Sequence, residues 1–158
     1  MKNFKRFAAL ILFFAVFVCA AFNFTSCVGG GGSGVVRIVI ENAPINSDGE
    51  ILTTEYEVDS EKVEGESLVD LFEYLSKTEN VAFEMDGTMI GRVGNLTNDY
   101  TEGVWIYIYT SVESDKDVSQ YAENKEYKGQ TLTSSGVGVL DMHYEDGAVI
   151  YIGTIKYE

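Results

Sequence analysis

The hydrophobic and polar positions beyond residue 34 predict a chain built mostly from β-strands. Alternating and β-branched runs recur at short intervals, and clusters of Gly, Asn, Asp and Ser separate them, as in strands joined by turns. The run VWIYIYT at 104–110 gives the strongest signal. The predicted strands cover residues 35–41, 51–58, 81–85, 88–93, 104–110, 137–144 and 148–157, and the last two are expected to form a terminal hairpin.

One segment predicts a helix. Apolar residues between 68 and 75 recur at the spacing of a single helix face. Ser67 can cap this helix, because Asp70 follows at the capping-box position. The polar, charged stretch 113–129 shows no clear period and is expected to be an inserted loop. These elements predict an α+β fold in which one helix packs on a mixed, mostly antiparallel sheet.

The first 27 residues resemble a bacterial lipoprotein signal. Three basic residues among the first six precede an apolar run at 8–22, and the small residues Thr25 and Ser26 precede Cys27. The run is shorter than the about 20 residues that a membrane-spanning helix needs. The resemblance implies that residues 1–26 are removed and that Cys27 carries the lipid. An ordinary secretory signal and an uncleaved anchor are the alternatives.

A glycine-rich segment follows the predicted lipidation site. Residues 28–34 read VGGGGSG, and a strand comes next rather than a helix that opens with Lys-Ser/Thr. This order favours a flexible tether over a phosphate-binding loop. We therefore expect three parts: a signal peptide at 1–26, a lipidated cysteine with its tether at 27–34, and one domain at 35–158.

Charge and cysteine content limit the partners and the chemistry of the mature chain. The full chain carries a formal charge of −14, and the leader holds three basic residues and no acidic one, so its removal leaves −17. Such a charge argues against nucleic acid and anionic lipid headgroups as partners. Cys19 leaves with the leader, so Cys27 is the only cysteine of the predicted mature chain and an internal disulfide is excluded.

Three stretches, in this order, resemble the transcobalamin-like C-terminal domain family, a β-grasp-like module of vitamin B12 carriers and bacterial surface lipoproteins. They are GESLVDLF at 65–72, GVWIYIY at 103–109, and the glycine loop and following strand within 136–150. The resemblance covers residues 35–158 and implies a β-grasp-like fold. Two departures stand out. Thr110-Ser111 replaces an Asn-Gly turn, and the chain has no room for the helical domain that completes the vitamin site in the carriers.

The strand at 104–110 carries the first candidate binding residues. Alternation places Trp105, Tyr107 and Tyr109 on one face and the aliphatic residues 104, 106 and 108 on the other, which is the natural core side. Three aromatic side chains in a row form either a second buried layer or an exposed platform for a ligand.

The loop Gly136, Val137 and Gly138 is the second candidate, because glycines let the backbone approach a ligand closely. The resemblance implies that the equivalent loop of the B12 carriers lies near the vitamin. A turn without any ligand is the alternative reading of these glycines.

The sequence offers no support for catalysis or for a metal site. His143 is the only histidine, no Gly-x-Ser-x-Gly motif occurs, and Cys27 is committed to the anchor. The acidic residues 113, 115 and 117 lack the spacing of an EF-hand loop. We expect no enzyme activity and no resident cofactor.

These observations together predict a lipid-anchored, extracytoplasmic binding module on a bacterial cell membrane. Its partner would be a small molecule or another surface protein, bound by the aromatic row and the glycine loop. A structural or adhesive surface protein without a small-molecule ligand is the first alternative. Direct capture of cobalamin or a related corrinoid is the second.

Overall fold

The computed structural model describes residues 34–42 and 51–157, which lie within a single unit, Gly31–Glu158. Cys27, the predicted signal peptide and all of the tether except Gly34 fall outside the described residues. The described chain contains one α-helix, α1 (Leu68–Thr78), and nine strands. The strands are β1 (Val35–Asn42), β2 (Leu52–Asp59), β3 (Phe83–Asp86), β4 (Met89–Val93), β5 (Leu96–Thr97), β6 (Val104–Thr110), β7 (Asn124–Tyr127), β8 (Gln130–Ser134) and β9 (Val149–Lys156).

The strands form two sheets. The larger sheet has six strands in the order β2-β1-β9-β6-β8-β7, and the smaller one has the order β3-β4-β5. β1 and β9 run parallel, whereas every other described pair is antiparallel. The prediction of one helix with a mixed, mostly antiparallel sheet is therefore confirmed. β9 lies at the centre of the sheet, which explains why residues 149–153 are all buried.

The helix begins where the sequence predicts. The Ser67 hydroxyl accepts a hydrogen bond from the Asp70 N–H at 3.2 Å, and the Asp70 carboxylate accepts one from the Ser67 N–H at 3.0 Å. This capping box satisfies two N–H groups that a helix start leaves without partners. The buried face of α1 consists of Leu68, Leu71, Phe72 and Leu75.

Apolar side chains fill both sides of the six-stranded sheet. The larger core includes the buried face of α1, alternate residues of β1 and β9, and Ile106 and Ile108 at its margin. A smaller cluster consists of Val39, Leu132, Val149 and Tyr151, with Tyr109 and Tyr127 packed against it. The predicted division of β6 into an aliphatic core side and an aromatic side is confirmed for Ile106, Ile108 and Tyr109.

The predicted terminal hairpin is wrong. Residues 137–144 form no strand, and β9 pairs instead with β1 and β6. The chain turns at this point, because the C=O of Gly138 accepts hydrogen bonds from the N–H groups of Asp141 and Met142. Met142 then accepts a hydrogen bond from the Leu68 N–H, so its buried side chain belongs to a loop that abuts the start of the helix.

The prediction of an unbroken loop at 113–129 is also wrong. Residues 124–127 form β7, which pairs with β8, a strand that the sequence pattern did not predict. β7 is the outermost strand of its sheet and buries only one side, through Lys125 and Tyr127. Its sequence, NKEY, therefore carries almost no hydrophobic signal.

Candidate functional site

The aromatic row of β6 is half-buried. Trp105, Tyr107 and Tyr109 all have intermediate exposure. The Trp105 ring meets Tyr100 edge-on at 5.0 Å, and Tyr107 meets Tyr109 in the same way at 5.3 Å. The row is therefore neither a fully buried layer nor a freely exposed platform.

Tyr109 lies at the inner end of this row, against the smaller apolar cluster. Its ring contacts Tyr151 edge-on, with 6.3 Å between the centroids, and its hydroxyl donates to Glu123 at 3.2 Å. Burial, and then the neighbouring Glu123 carboxylate, raise the pKa of Tyr109 well above its ordinary value. These contacts make Tyr109 a packed residue of the sheet.

A cleft of about 200 Å³ lies along one edge of β6 and joins the two predicted binding elements. Its walls come from residues 88–90, Asn98, residues 105–108, Ser135 and residues 137–139. Of the predicted site residues, Trp105, Tyr107, Val137 and Gly138 therefore share this cleft, whereas Tyr109 and Gly136 do not line it. All of the lining side chains are uncharged.

Asn98 fixes one end of the cleft. Its amide nitrogen donates to the C=O of Ile90 at 2.8 Å, and its amide oxygen accepts from the N–H of Ile106 at 2.7 Å. One side chain thus connects the small sheet with β6. The sequence analysis missed Asn98, since an asparagine two residues before Tyr100 is indistinguishable from an ordinary turn residue.

The two glycines of the 136–138 loop have different roles. A Cβ atom added to Gly136 would lie 2.8 Å from the Cα of Asp117, so this glycine permits a close approach within the chain itself. A Cβ added to Gly138 would find no atom nearer than the Asp141 carboxylate at 4.0 Å. Gly138 therefore leaves open space at the cleft wall.

A polar cluster that the sequence analysis did not identify lies beside Tyr109, on the face of the six-stranded sheet opposite α1. Glu41 is buried, and its carboxylate accepts hydrogen bonds from Lys125 at 2.6 Å and from the Tyr151 hydroxyl at 2.8 Å. The Lys125 ammonium lies 4.4 Å from the centre of the Tyr151 ring. The pKa of Tyr151 is raised well above its ordinary value, mainly because the ring is buried and secondly because its hydroxyl is hydrogen-bonded to Glu41.

His143 has an acidic neighbour that the sequence pattern did not reveal. Its Nδ1 lies 4.0 Å from the buried Asp115 carboxylate, and its backbone N–H donates to that carboxylate at 2.8 Å. Asp115 also accepts a hydrogen bond from the Ser114 hydroxyl at 2.9 Å. The carboxylate thus holds the 142–143 backbone in place, and His143 itself is exposed.

Residues 34–42 and 51–157 contain no group of three or more His, Cys, Asp or Glu side chains that could hold a metal ion. Among the acidic residues considered from the sequence, Asp117 accepts a hydrogen bond from the N–H of Ser119, and Glu113 pairs with Lys116. α1 is neither long nor apolar enough to cross a membrane, and it is the only α-helix in this part of the chain.

No family model matches the sequence, and no curated protein matches it. Among solved structures, the chain is similar to a "putative metal binding protein" from Ruminococcus gnavus ATCC 29149, with 14% identity and a TM-score of 0.45 over 80% of this chain and all of that one.

Proposed function

We propose that this protein is a lipid-anchored, extracytoplasmic binding module without catalytic activity, of the transcobalamin-like C-terminal type with its β-grasp-like fold. One observation carries the proposal. The two segments that the sequence singles out as binding elements, the aromatic strand and the glycine loop, line the same cleft on β6. They are about 30 positions apart in the chain, so nothing in their local sequence requires them to meet.

The cleft favours a small ligand or a short segment of a surface partner. Its volume of about 200 Å³ lies below the roughly 300–1,000 Å³ of pockets that enclose drug-sized molecules. Uncharged walls with a few polar groups, such as the Asn98 amide, suit a neutral ligand that carries hydrogen-bonding groups. Capture of cobalamin would need a second domain or protein that covers most of the vitamin.

Localisation in this proposal rests on the sequence. The signal-like segment 8–22 and Cys27 support export and attachment to a bacterial membrane, and the tether supports a domain held a short distance from the surface. The net charge of −14 makes nucleic acid an unfavourable partner.

A structural or adhesive surface protein is the second candidate. The observation that favours it is the packing of the aromatic row, in which Tyr109 contacts Tyr151 and Trp105 contacts Tyr100. In that case the aromatic residues stabilise the sheet, and the cleft has no small-molecule ligand.

Trp105 allows a direct test, because it is the only tryptophan of the chain and it lines the cleft. The full chain, purified in mild detergent, is screened against a metabolite collection by thermal shift, since a ligand of the native state raises the apparent stability. Each hit is then titrated while Trp105 emission is recorded. We expect a saturable change in that emission.

Two substitutions at one position provide the matched control. Gly138→Ala adds a methyl group to open space, whereas Gly138→Leu places a bulky side chain at the cleft wall. Binding should survive in the alanine variant and be lost in the leucine variant. Hits that bind both variants equally, or that leave Trp105 emission unchanged, would contradict the cleft as the binding site.

A further inference from the structure

The two edges of β6 are not equally paired. β9 pairs with β6 along its whole length, from Val104 to Thr110. β8 pairs with it on the other edge only at Tyr109 and Thr110. The cleft lies along the remainder of this second edge, where residues 105–108 form its wall.

The second edge of β6 stays open between residues 105 and 108 because the chain segments at its two ends, around Ser135 and Asp99, do not continue along it. Ser135 donates its N–H to the C=O of Ile108, and the chain then turns away to pair with residues 115–117. At the other end Asp99 pairs with Val104. Between these two points, the side-chain oxygen of Asn98 accepts a hydrogen bond from the N–H of Ile106.

Two main-chain groups in the cleft remain available. The N–H of Ile108 has no acceptor among the hydrogen bonds of the part of the chain described here. The C=O of Ile106 faces the same edge as its N–H and lies outside every ladder between described strands. An unpaired donor and acceptor that flank one residue, Tyr107, present the hydrogen-bonding pattern to which an extended chain adds as a new strand.

We propose that the cleft binds an extended peptide, whose main chain pairs with Ile106 and Ile108 and whose apolar side chain enters the cleft. This inference rests on the proposed function and specifies its ligand class. In a strand that runs parallel to β6, one residue opposite Tyr107 donates its N–H to Ile106 and accepts from Ile108. The cleft volume of about 200 Å³ suits one such residue.

Charge specifies the peptide further. The cleft walls are uncharged, so the inserted side chain is apolar. The chain as a whole carries −14, and the Asp141 carboxylate lies beside Gly138 at the cleft wall. Basic residues on either side of the inserted one complement this charge and accelerate the encounter at low salt.

The test measures the backbone directly. The full ¹⁵N-labelled chain in mild detergent is titrated with acetylated, amidated tripeptides that carry Lys at both ends and Ala, Val, Leu, Ile, Met or Phe in the middle. Amide hydrogen exchange is followed at Tyr107, Ile108 and Tyr109. In the free chain we expect Ile108 to exchange much faster than its two neighbours, whose N–H groups face β9.

A bound peptide should protect Ile108 selectively. At a concentration of ten times its Kd, the exchange of Ile108 should slow by about tenfold. The matched control is an analogue in which an ester replaces the amide N–H of the middle residue. It should bind about fivefold more weakly, because it cannot donate to Ile106.

The outcomes separate this inference from the function on which it rests. Tripeptides that alter Trp105 emission without protecting Ile108, or metabolites that bind while every tripeptide fails, overturn the pairing and leave the binding cleft intact. Failure of both ligand classes overturns both proposals. An Ile108 amide that is protected in the free chain and loses its protection on dilution identifies a second copy as the occupant and also overturns the peptide assignment.

Discussion

Gly153 of β9 provides a quantitative test of the buried polar cluster. A Cβ atom at this position would lie 2.6 Å from the Cδ of Glu41 and 2.7 Å from both carboxylate oxygens. The strand backbone itself accepts alanine, because Gly153 is not among the residues with positive φ. Gly153→Ala therefore forces the Glu41 carboxylate out of the position in which it accepts from Lys125 and Tyr151.

Two opposing effects determine how much Gly153→Ala changes the free energy of unfolding. Moving the carboxylate weakens hydrogen bonds to a charged group, each of which contributes about 1.5–3 kcal/mol. Replacement of glycine by alanine reduces the entropy of the unfolded chain and stabilises by about 0.4–1 kcal/mol. Because the carboxylate accepts hydrogen bonds from both Lys125 and Tyr151, we expect Gly153→Ala to lower the free energy of unfolding by about 1–3 kcal/mol.

A double-mutant cycle isolates the cause. In a Glu41→Ala background the obstructing carboxylate is absent, so the same Gly153→Ala change should be neutral or stabilise by about 0.4–1 kcal/mol. Urea unfolding of the four variants, in a chain that begins at Gly31, measures the coupling. Gly138→Ala, whose Cβ meets open space, is the control and should be neutral or stabilise by up to about 1 kcal/mol. An equal loss from Gly153→Ala in both backgrounds would refute the reasoning.

Three further predictions concern the anchor, the helix cap and the buried tyrosines. Cys27→Ser should release the protein from the membrane fraction, and retention of the variant there would contradict lipidation. Hydrogen bonds from the side chain and then the backbone of Ser67 lower the pKa of Asp70, so the carboxylate stabilises the fold above its unfolded pKa of about 4. Asp70→Asn should therefore cost about 1 kcal/mol at neutral pH, and urea unfolding at several pH values should show this difference vanish as the pH falls through the lowered value. Burial raises the pKa values of Tyr109 and Tyr151, so the fold loses stability as the pH rises above about 10, where unfolded tyrosine ionises. Tyrosinate absorbance from these two residues should appear only together with unfolding, and an earlier appearance would contradict their burial.

The elements that sequence analysis predicted correctly are those specified by neighbouring residues. The capping box of Ser67 and Asp70 and the apolar stripe of α1 lie within one short segment, and the structure contains both. The alternation in β6 likewise specified which side faces the larger core. In each case, the residues that form the sequence pattern are also the residues that form the element.

The elements that were missed depend on main-chain pairing rather than on a local hydrophobic pattern. Met142 is apolar and buried, yet it belongs to a loop because its C=O receives the N–H of Leu68 at the start of the helix. β7 is polar and becomes a strand through its pairing with β8. The cleft depends on the departure of Ser135 from β6 to residues 115–117, which no local pattern indicates.

The distinction between satisfied and unsatisfied hydrogen-bonding groups also supports the edge of β6, rather than its aromatic face, as the proposed binding site. On the face of the sheet that carries Tyr109 and Tyr151, the Tyr109 hydroxyl donates to Glu123 and the Tyr151 hydroxyl donates to Glu41, so a ligand there would have to replace existing hydrogen bonds. At the β6 edge, the half-buried Ile108 has an N–H without an acceptor among residues 34–42 and 51–157. A donor that becomes desolvated without a partner costs about 1–3 kcal/mol, so the same donor gains most from a ligand that supplies a carbonyl. In the proposed binding mode, the aromatic row lies on the same strand as this unpaired edge, and the edge is where binding energy would be available.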